Sequence, residues 1–267
     1  MDENLNQLGL LDDSEVMLDE AALLVASPDH PDIDLQPYRE LLEAVAIRLE
    51  VIANGATGAH AQADALSFVL SEEFGFVGDR ETYDDPANAD LVQVIDRRRG
   101  LPVSLSILYV AAARRLGWTA NVLDVPGHVL VLVGDAVAPV IIDPFHGGIL
   151  VEPHHLAALL TTGSEGSKPV PRQVAAMPNR AVLVRLLLNQ ATRAKEAGND
   201  SRARELYARI TAIAPAYGHA WWERARLELA DRDPASARNS LISMLEVTRE
   251  PALRRRVADT LLALAAP

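Results

Sequence analysis

The stretch that most constrains this chain is Arg97–Trp118, RRRGLPVSLSILYVAAARRLGW. Gly100-Leu101-Pro102 opens it, and proline suits the first turn of a helix, where its missing N–H would have had no intrahelical partner. From Val103 to Ala113 the residues are apolar on nearly every side. A helix without a polar face belongs in the centre of a domain, wrapped by other elements.

The flanking sequence supplies the wrapping. After the helix come WTANVLDV, HVLVLVGDA and PVIIDPF, short segments rich in Val and Ile and bounded by Pro and Gly, which read as three strands of an antiparallel sheet. Before it, following a polar start, Leu18, Ala21, Ala22 and Val25 recur at helical spacing. A second helix runs to Ile52 with Pro37 in its first turn and Asp34 placed to cap it. A third spans Ala61–Glu73 and stops at Gly75, and YDDPANADLVQVIDRR reads as a turn into a short helix. This pattern predicts an α+β domain over residues 1–165. A Gly-, Ser- and Pro-rich segment, TTGSEGSKPVPR, marks a linker over 166–178.

Residues 179–267 read as helix to the end, and they repeat. Gly198-Asn199-Asp200 precedes Ala203, Arg232-Asp233-Pro234 precedes Ala237, and the two alanines are 34 residues apart. That is the period of the tetratricopeptide repeat. Two such units are too few to stand alone as a solenoid, so they are expected to dock on the first domain and leave a partner groove between the two. The adjacent Trp221 and Trp222 are expected to face different ways, with one of them in the repeat core.

Composition excludes several functions. Cysteine is absent from all 267 residues, which removes disulfides, Cys–zinc sites and any thiol nucleophile. No run approaches the roughly 18 apolar residues of a membrane span. The acidic start MDENLNQLGLLDDSEVMLDE is unlike a secretory signal, so a cytoplasmic protein is expected. Residues 1–96 carry 22 acids against 3 bases and residues 97–267 carry 15 acids against 22 bases. The asymmetry reads as an acidic half packed on a basic one, or as an acidic surface that meets a basic partner. With a pI near 5.0 and no basic stripe, nucleic acid is not an expected partner.

Four separated motifs, FGFVGDRETYDDPANADL, RRRGLPVSLSILYVAAARRLG, VPGHVLVLV and IIDPFHGG, together resemble the SirB1 family. That resemblance implies a transglutaminase-like (papain-like) core with a central helix and a small antiparallel sheet, followed by an all-α domain of tetratricopeptide type. It also implies that Asn88, Arg99, Gly100, Pro126, Gly127, Pro144 and Phe145 belong to the family motif. In transglutaminase-like enzymes a cysteine opens the central helix, where the helix dipole favours its thiolate. A histidine on one strand is its base, and an aspartate on the next orients the histidine. Here those positions fall on Pro102, His128 and Asp143, and proline cannot attack a substrate.

A serine would be the remaining nucleophile. Ser104 lies about 200° around the helix from Pro102, while Ser106 shares the face of Pro102 one turn deeper. His128 and Asp143 read either as a retained base and its carboxylate or as a structural pair. His146 could converge with them on a metal, but no spacing matches an established ligand motif, so neither metal nor cofactor is expected. Neighbouring His154 and His155 are expected to point apart. The implied function is a non-catalytic protein that binds a protein or peptide in a regulatory or adaptor role. The alternative is an active amide hydrolase or acyl transferase using a non-cysteine nucleophile, or a metal, with His128 and Asp143.

Overall fold

The structure is a computed structural model that describes residues 3–161 and 175–264. In chain order, the helices α1 (Glu3–Leu10), α2 (Leu18–Ala26), α3 (Gln36–Ile52) and α4 (Ala59–Ser67) come first, and α4 runs on into a π-helical turn, Phe68–Glu73. Strand β1 (Val77–Gly78), helix α5 (Leu91–Arg97) and strand β2 (Arg99–Gly100) lead to the central helix α6 (Pro102–Arg115). Strands β3 (Ala120–Val125), β4 (His128–Val133), β5 (Val140–Asp143) and β6 (Ile149–Leu150) follow, then α7 (Pro153–Thr161). Helices α8 (Asn179–Glu196), α9 (Asp200–Ile213), α10 (Gly218–Ala230), α11 (Pro234–Val247) and α12 (Pro251–Ala263) complete the described chain. No helix among the described residues is long and apolar enough to cross a membrane.

Two compact units result: residues 13–183, and residues 1–12 together with 184–267. The sequence pattern sets an expected linker over 166–178, which falls within the unit of residues 13–183. Residues 166–174 of that linker lie outside the described residues, whereas its last part is tied down, because Ala176 bridges to Leu123 and the Met177 N–H donates to the Val122 carbonyl at 2.8 Å. The polar start of the sequence carries a helix of its own, α1, which buries Leu5 and Leu8.

In the unit of residues 13–183, every residue of α6 from Pro102 to Ala113 is buried. Helices α2, α3 and α4 pack on α6, as do β3 and β4. The sheet is antiparallel in the order β3-β4-β5-β6, one strand more than the sequence pattern predicts. The added strand, β6, has only two residues, both exposed, too short for alternation to reveal it. A second feature escapes periodicity for the same reason: β1 and β2 pair in parallel as a two-residue ribbon at the start of α6.

In the other unit, α1 packs on α9, and successive helices from α9 to α12 pack on one another. Ala203 and Ala237, the residues at the 34-residue interval, are both wholly buried. The helices that carry them start alike: the Asn199 side chain accepts from the Arg202 N–H at 3.1 Å, and the Asp233 side chain accepts from the Ser236 N–H at 3.0 Å. Such caps satisfy N–H groups that a helix start leaves without partners. Trp221 and Trp222 do not separate as expected, for both pack against the cluster of Ala225, Leu241, Met244 and Val257. Their polar and cationic neighbours differ instead: the Trp221 indole N–H donates to the Pro215 carbonyl at 2.8 Å, while the Arg256 guanidinium lies 4.3 Å from the Trp222 ring centroid.

A glycine of α1 lies tight against the backbone of α9. A Cβ on Gly9 would stand 2.1 Å from the carbonyl oxygen of Ala212. In an unpacked helix, Gly→Ala stabilises by about 0.5–1 kcal/mol. Here the contact reverses that sign: Gly9→Ala is expected to lower the melting temperature and to speed amide exchange in residues 3–10. A rise in melting temperature would contradict this packing.

Candidate functional site

The site is assembled at one end of the sheet. Pro126-Gly127 makes the tight turn between β3 and β4, and Gly127 takes the left-handed conformation (φ 73°) that favours glycine. The turn makes His128 the first residue of β4, paired with Val125. Strands β4 and β5 are in register at Val131 and Ile142. Continuing that register sets Asp143 opposite Leu130, on the face of the sheet that His128 shares and one diagonal step away. The His128 Nε2 to Asp143 Oδ2 distance is 2.8 Å.

Asp143 is the hub of the arrangement. Its Oδ1 caps the short 3₁₀ turn Pro144–His146, accepting from the N–H groups of Phe145 (3.0 Å) and His146 (3.3 Å). Its Oδ2 faces two imidazoles, since His146 Nδ1 lies 2.7 Å away in addition to His128. Burial raises the carboxyl pKa, but hydrogen bonds and charge from His128, then His146, outweigh burial and leave it below the ordinary carboxylate value. His128 and Asp143 are largely covered, whereas the His146 side chain keeps 40% of its surface exposed.

Phe145 fixes the turn against the rest of the unit. It packs on Gly78, where a Cβ would come 2.5 Å from its ring, and its ring meets the edge of Tyr83 at 5.7 Å between centroids. Gly147 and Gly148 both have positive φ and lie against Ser71 and Ser67 of the α4–π segment, with Ser67 Oγ donating to the Gly147 carbonyl at 2.5 Å.

The start of α6 is held from the other side. The Asn88 carbonyl accepts from the Leu101 N–H at 3.0 Å and from Ser104 Oγ at 2.6 Å. Ser104 is therefore buried and committed to a structural bond. Asn88 in turn donates from Nδ2 to the Thr82 carbonyl at 2.6 Å. The basic triplet serves local structure: Arg97 bonds Asp79 (3.0 Å) and Asn88 (3.3 Å), Arg98 stacks over Phe76 at 4.6 Å, and Arg99 reaches Glu81 at 3.3 Å.

Pro102, at the first turn of α6, is buried and has no side-chain chemistry to offer. Four and seven residues on, and hence on the same helix face, come Ser106 and Tyr109. Both hydroxyls are buried without a hydrogen-bond partner among the described residues. Burial, and then the negative charge of Asp143, raises the Tyr109 phenol above its ordinary pKa. Tyr109 escapes sequence reasoning because it sits inside an apolar run and reads as core. His154 and His155 stand apart from the cluster on α7, and their rings lie 4.0 Å apart, not turned away from each other. Both are exposed, so no packing stops the rings from swinging together.

The family model of the transglutaminase-like superfamily matches residues 36–188, from α3 into α8. The chain belongs to the transglutaminase-like superfamily. It is 30% identical to a UPF0162 protein of Xylella fastidiosa (strain 9a5c) over 248 residues, 91% of this chain and 88% of that one. A UPF0162 protein of Vibrio cholerae serotype O1 is 31% identical over 171 residues, 63% of each chain. The F-box only protein 21 of Mus musculus shares 39% identity over 67 residues, 25% of this chain and 11% of that protein.

Asp79, which sequence reasoning also missed, orders the loop that leads to Asn88. Its carboxylate accepts from the N–H groups of Glu81 and Thr82 (3.1 and 2.9 Å) and from the Thr82 hydroxyl (2.6 Å). Burial raises its pKa, but these bonds, the Thr82 hydroxyl first, hold it down at about 2. A folded-state value below the unfolded value of about 3.9 stabilises the fold above pH ~4, and this contribution is lost as pH falls toward 2. Asp79→Asn is expected to lower the denaturation midpoint at neutral pH and to flatten its fall between about pH 4 and 2. An unchanged acid limb, measured by denaturant titration at each pH, would show that Asp79 is not responsible.

Proposed function

We propose that this chain is a non-catalytic member of its superfamily, of the SirB1 type, that binds a protein or peptide in the cytoplasm in a regulatory or adaptor role. The observation that carries this reading is Pro102. It stands where the resemblance sets the superfamily's cysteine, at the first turn of a buried helix, in a chain with no cysteine. The two serines nearby do not replace the thiol. Ser104 donates a hydrogen bond to a backbone carbonyl, and both Ser104 and Ser106 are wholly buried, out of reach of a substrate. His128 and Asp143 then act as a positioned polar pair without a nucleophile to serve.

The helical unit supports the binding half of the proposal. The 34-residue interval between buried alanines, with a capped helix start at each, fits tetratricopeptide-type hairpins, which present peptide-binding surfaces. A cavity of about 340 Å³ lies among Tyr217, Trp222, Met244, Leu253, Arg256 and Val257. Its aromatic and apolar walls, with one arginine, fit an apolar peptide side chain next to a carboxylate.

Peptide display against the full-length chain tests both halves. Selected peptides are expected to lose about tenfold in affinity with Trp222→Ala and to be indifferent to His128→Ala, as for an aromatic anchor in a pocket. Amide hydrolysis or acyl transfer that disappears with His128→Ala would overturn the non-catalytic reading. Pro102→Cys is expected to fold normally with a loss under about 1 kcal/mol, because only the preset φ is given up at a position where a free N–H is tolerated. A much larger loss in chemical denaturation would mean that the proline is needed for more than the helix start.

A further inference from the structure

We propose that His128, Asp143 and His146 form a three-ligand site for a divalent transition-metal ion of the zinc class. The inference does not depend on the partner-binding reading. One candidate ligand atom from each of the three residues falls within 4.8 Å of the other two. Both nitrogens approach the same oxygen, at 2.8 and 2.7 Å. Two imidazoles and one carboxylate are a ligand set for zinc and its neighbours, not for calcium or magnesium, which favour all-oxygen shells. In tautomers that free Nε2 of His128 and Nδ1 of His146, each of the three residues has a lone pair to offer an ion.

The surroundings fit such a site. The three residues come from the first position of β4, the last of β5 and the 3₁₀ turn, all held by backbone hydrogen bonds. Two backbone N–H groups hold Asp143 Oδ1 and so keep Oδ2 aimed at the imidazoles, the kind of outer hydrogen bonding that orients a metal ligand. The exposed side of His146 gives solvent, and hence an ion, a way in. Metal–ligand bonds of about 2.0–2.1 Å in tetrahedral geometry set ligand atoms about 3.3 Å apart. The two close pairs therefore each have to open by about half an ångström: rotation of the half-exposed His146 ring supplies this for its own pair, and a small turn of the His128 ring or the Asp143 carboxylate has to supply it for the other. Three protein ligands leave a fourth position open to water or to a donor from another molecule.

The test uses the full-length chain, stripped with a chelator and titrated with Zn²⁺ by calorimetry and with Co²⁺ by visible absorption. One equivalent is expected to bind, with the intense cobalt bands of a four-coordinate site. His146→Gln and His128→Ala are each expected to weaken binding by about tenfold or more. The double variant His154→Ala/His155→Ala removes the other adjacent histidine pair and is expected to change nothing. No stoichiometric binding, binding that survives His146→Gln, or binding lost only with the His154/His155 variant would overturn the assignment. His146 is half-exposed, so should His128→Ala fail to fold, His146→Gln, checked by circular dichroism, still decides.

Discussion

In the unit of residues 13–183, structure depends on the burial of α6 over all its faces. A helix that offers nothing to water is stable only if other elements cover it, so α2, α3, α4, β3 and β4 are arranged around one apolar cylinder. Fully burying a Leu, Ile or Val side chain is worth about 1.5–3 kcal/mol, and α6 carries Val103, Leu105, Ile107, Leu108 and Val110 with almost no exposure. That sum is the main force holding helices to sheet. It also makes the position of the helix start unusually well defined.

From that start, a chain of polar contacts leads to the histidines. The Asn88 carbonyl holds Leu101 and Ser104, and Asn88 is itself held by Thr82, which bonds Asp79. Asp79 follows β1, whose pairing with β2 sets Gly78 under Phe145. Phe145 lies in the turn that Asp143 caps, so the position of the carboxylate is fixed both by its own strand and by the loop at the start of α6. These contacts link residues far apart in sequence to the turn that carries the carboxylate.

The helices, the three main strands and the His128–Asp143 proximity are legible in the sequence because each rests on a repeated or local signal. Short Val- and Ile-rich runs bounded by Pro and Gly reveal β3 to β5, and an apolar surround marks α6. What the sequence hides is short or non-periodic. Two-residue strands carry no period, α1 shows only Leu5 and Leu8 in a polar segment, and Asp79 is one acid among many in an acidic half. His146 is visible as a residue, but only a 3₁₀ turn folds its ring back onto the carboxylate three positions earlier. Spacing rules for metal ligands are written for helices, strands and knuckles, so a ligand set that depends on such a turn carries no spacing signature.

The polar hub around Asp143 contrasts with the hydroxyls behind it. Both oxygens of Asp143 are satisfied, whereas Ser106 and Tyr109 bury hydroxyls without partners, at about 1–3 kcal/mol each. Neither feature is a stability device. A buried charged pair roughly breaks even against apolar residues of the same shape, and a phenylalanine or alanine in α6 would avoid the unmet hydroxyls altogether. The face of α6 that begins with Pro102 is therefore more polar than its packing requires, while the residue at its tip has no reactive group. The fold thus sets a precise polar constellation, centred on Asp143, at the sheet end, and at the tip of α6 a proline without a reactive side chain.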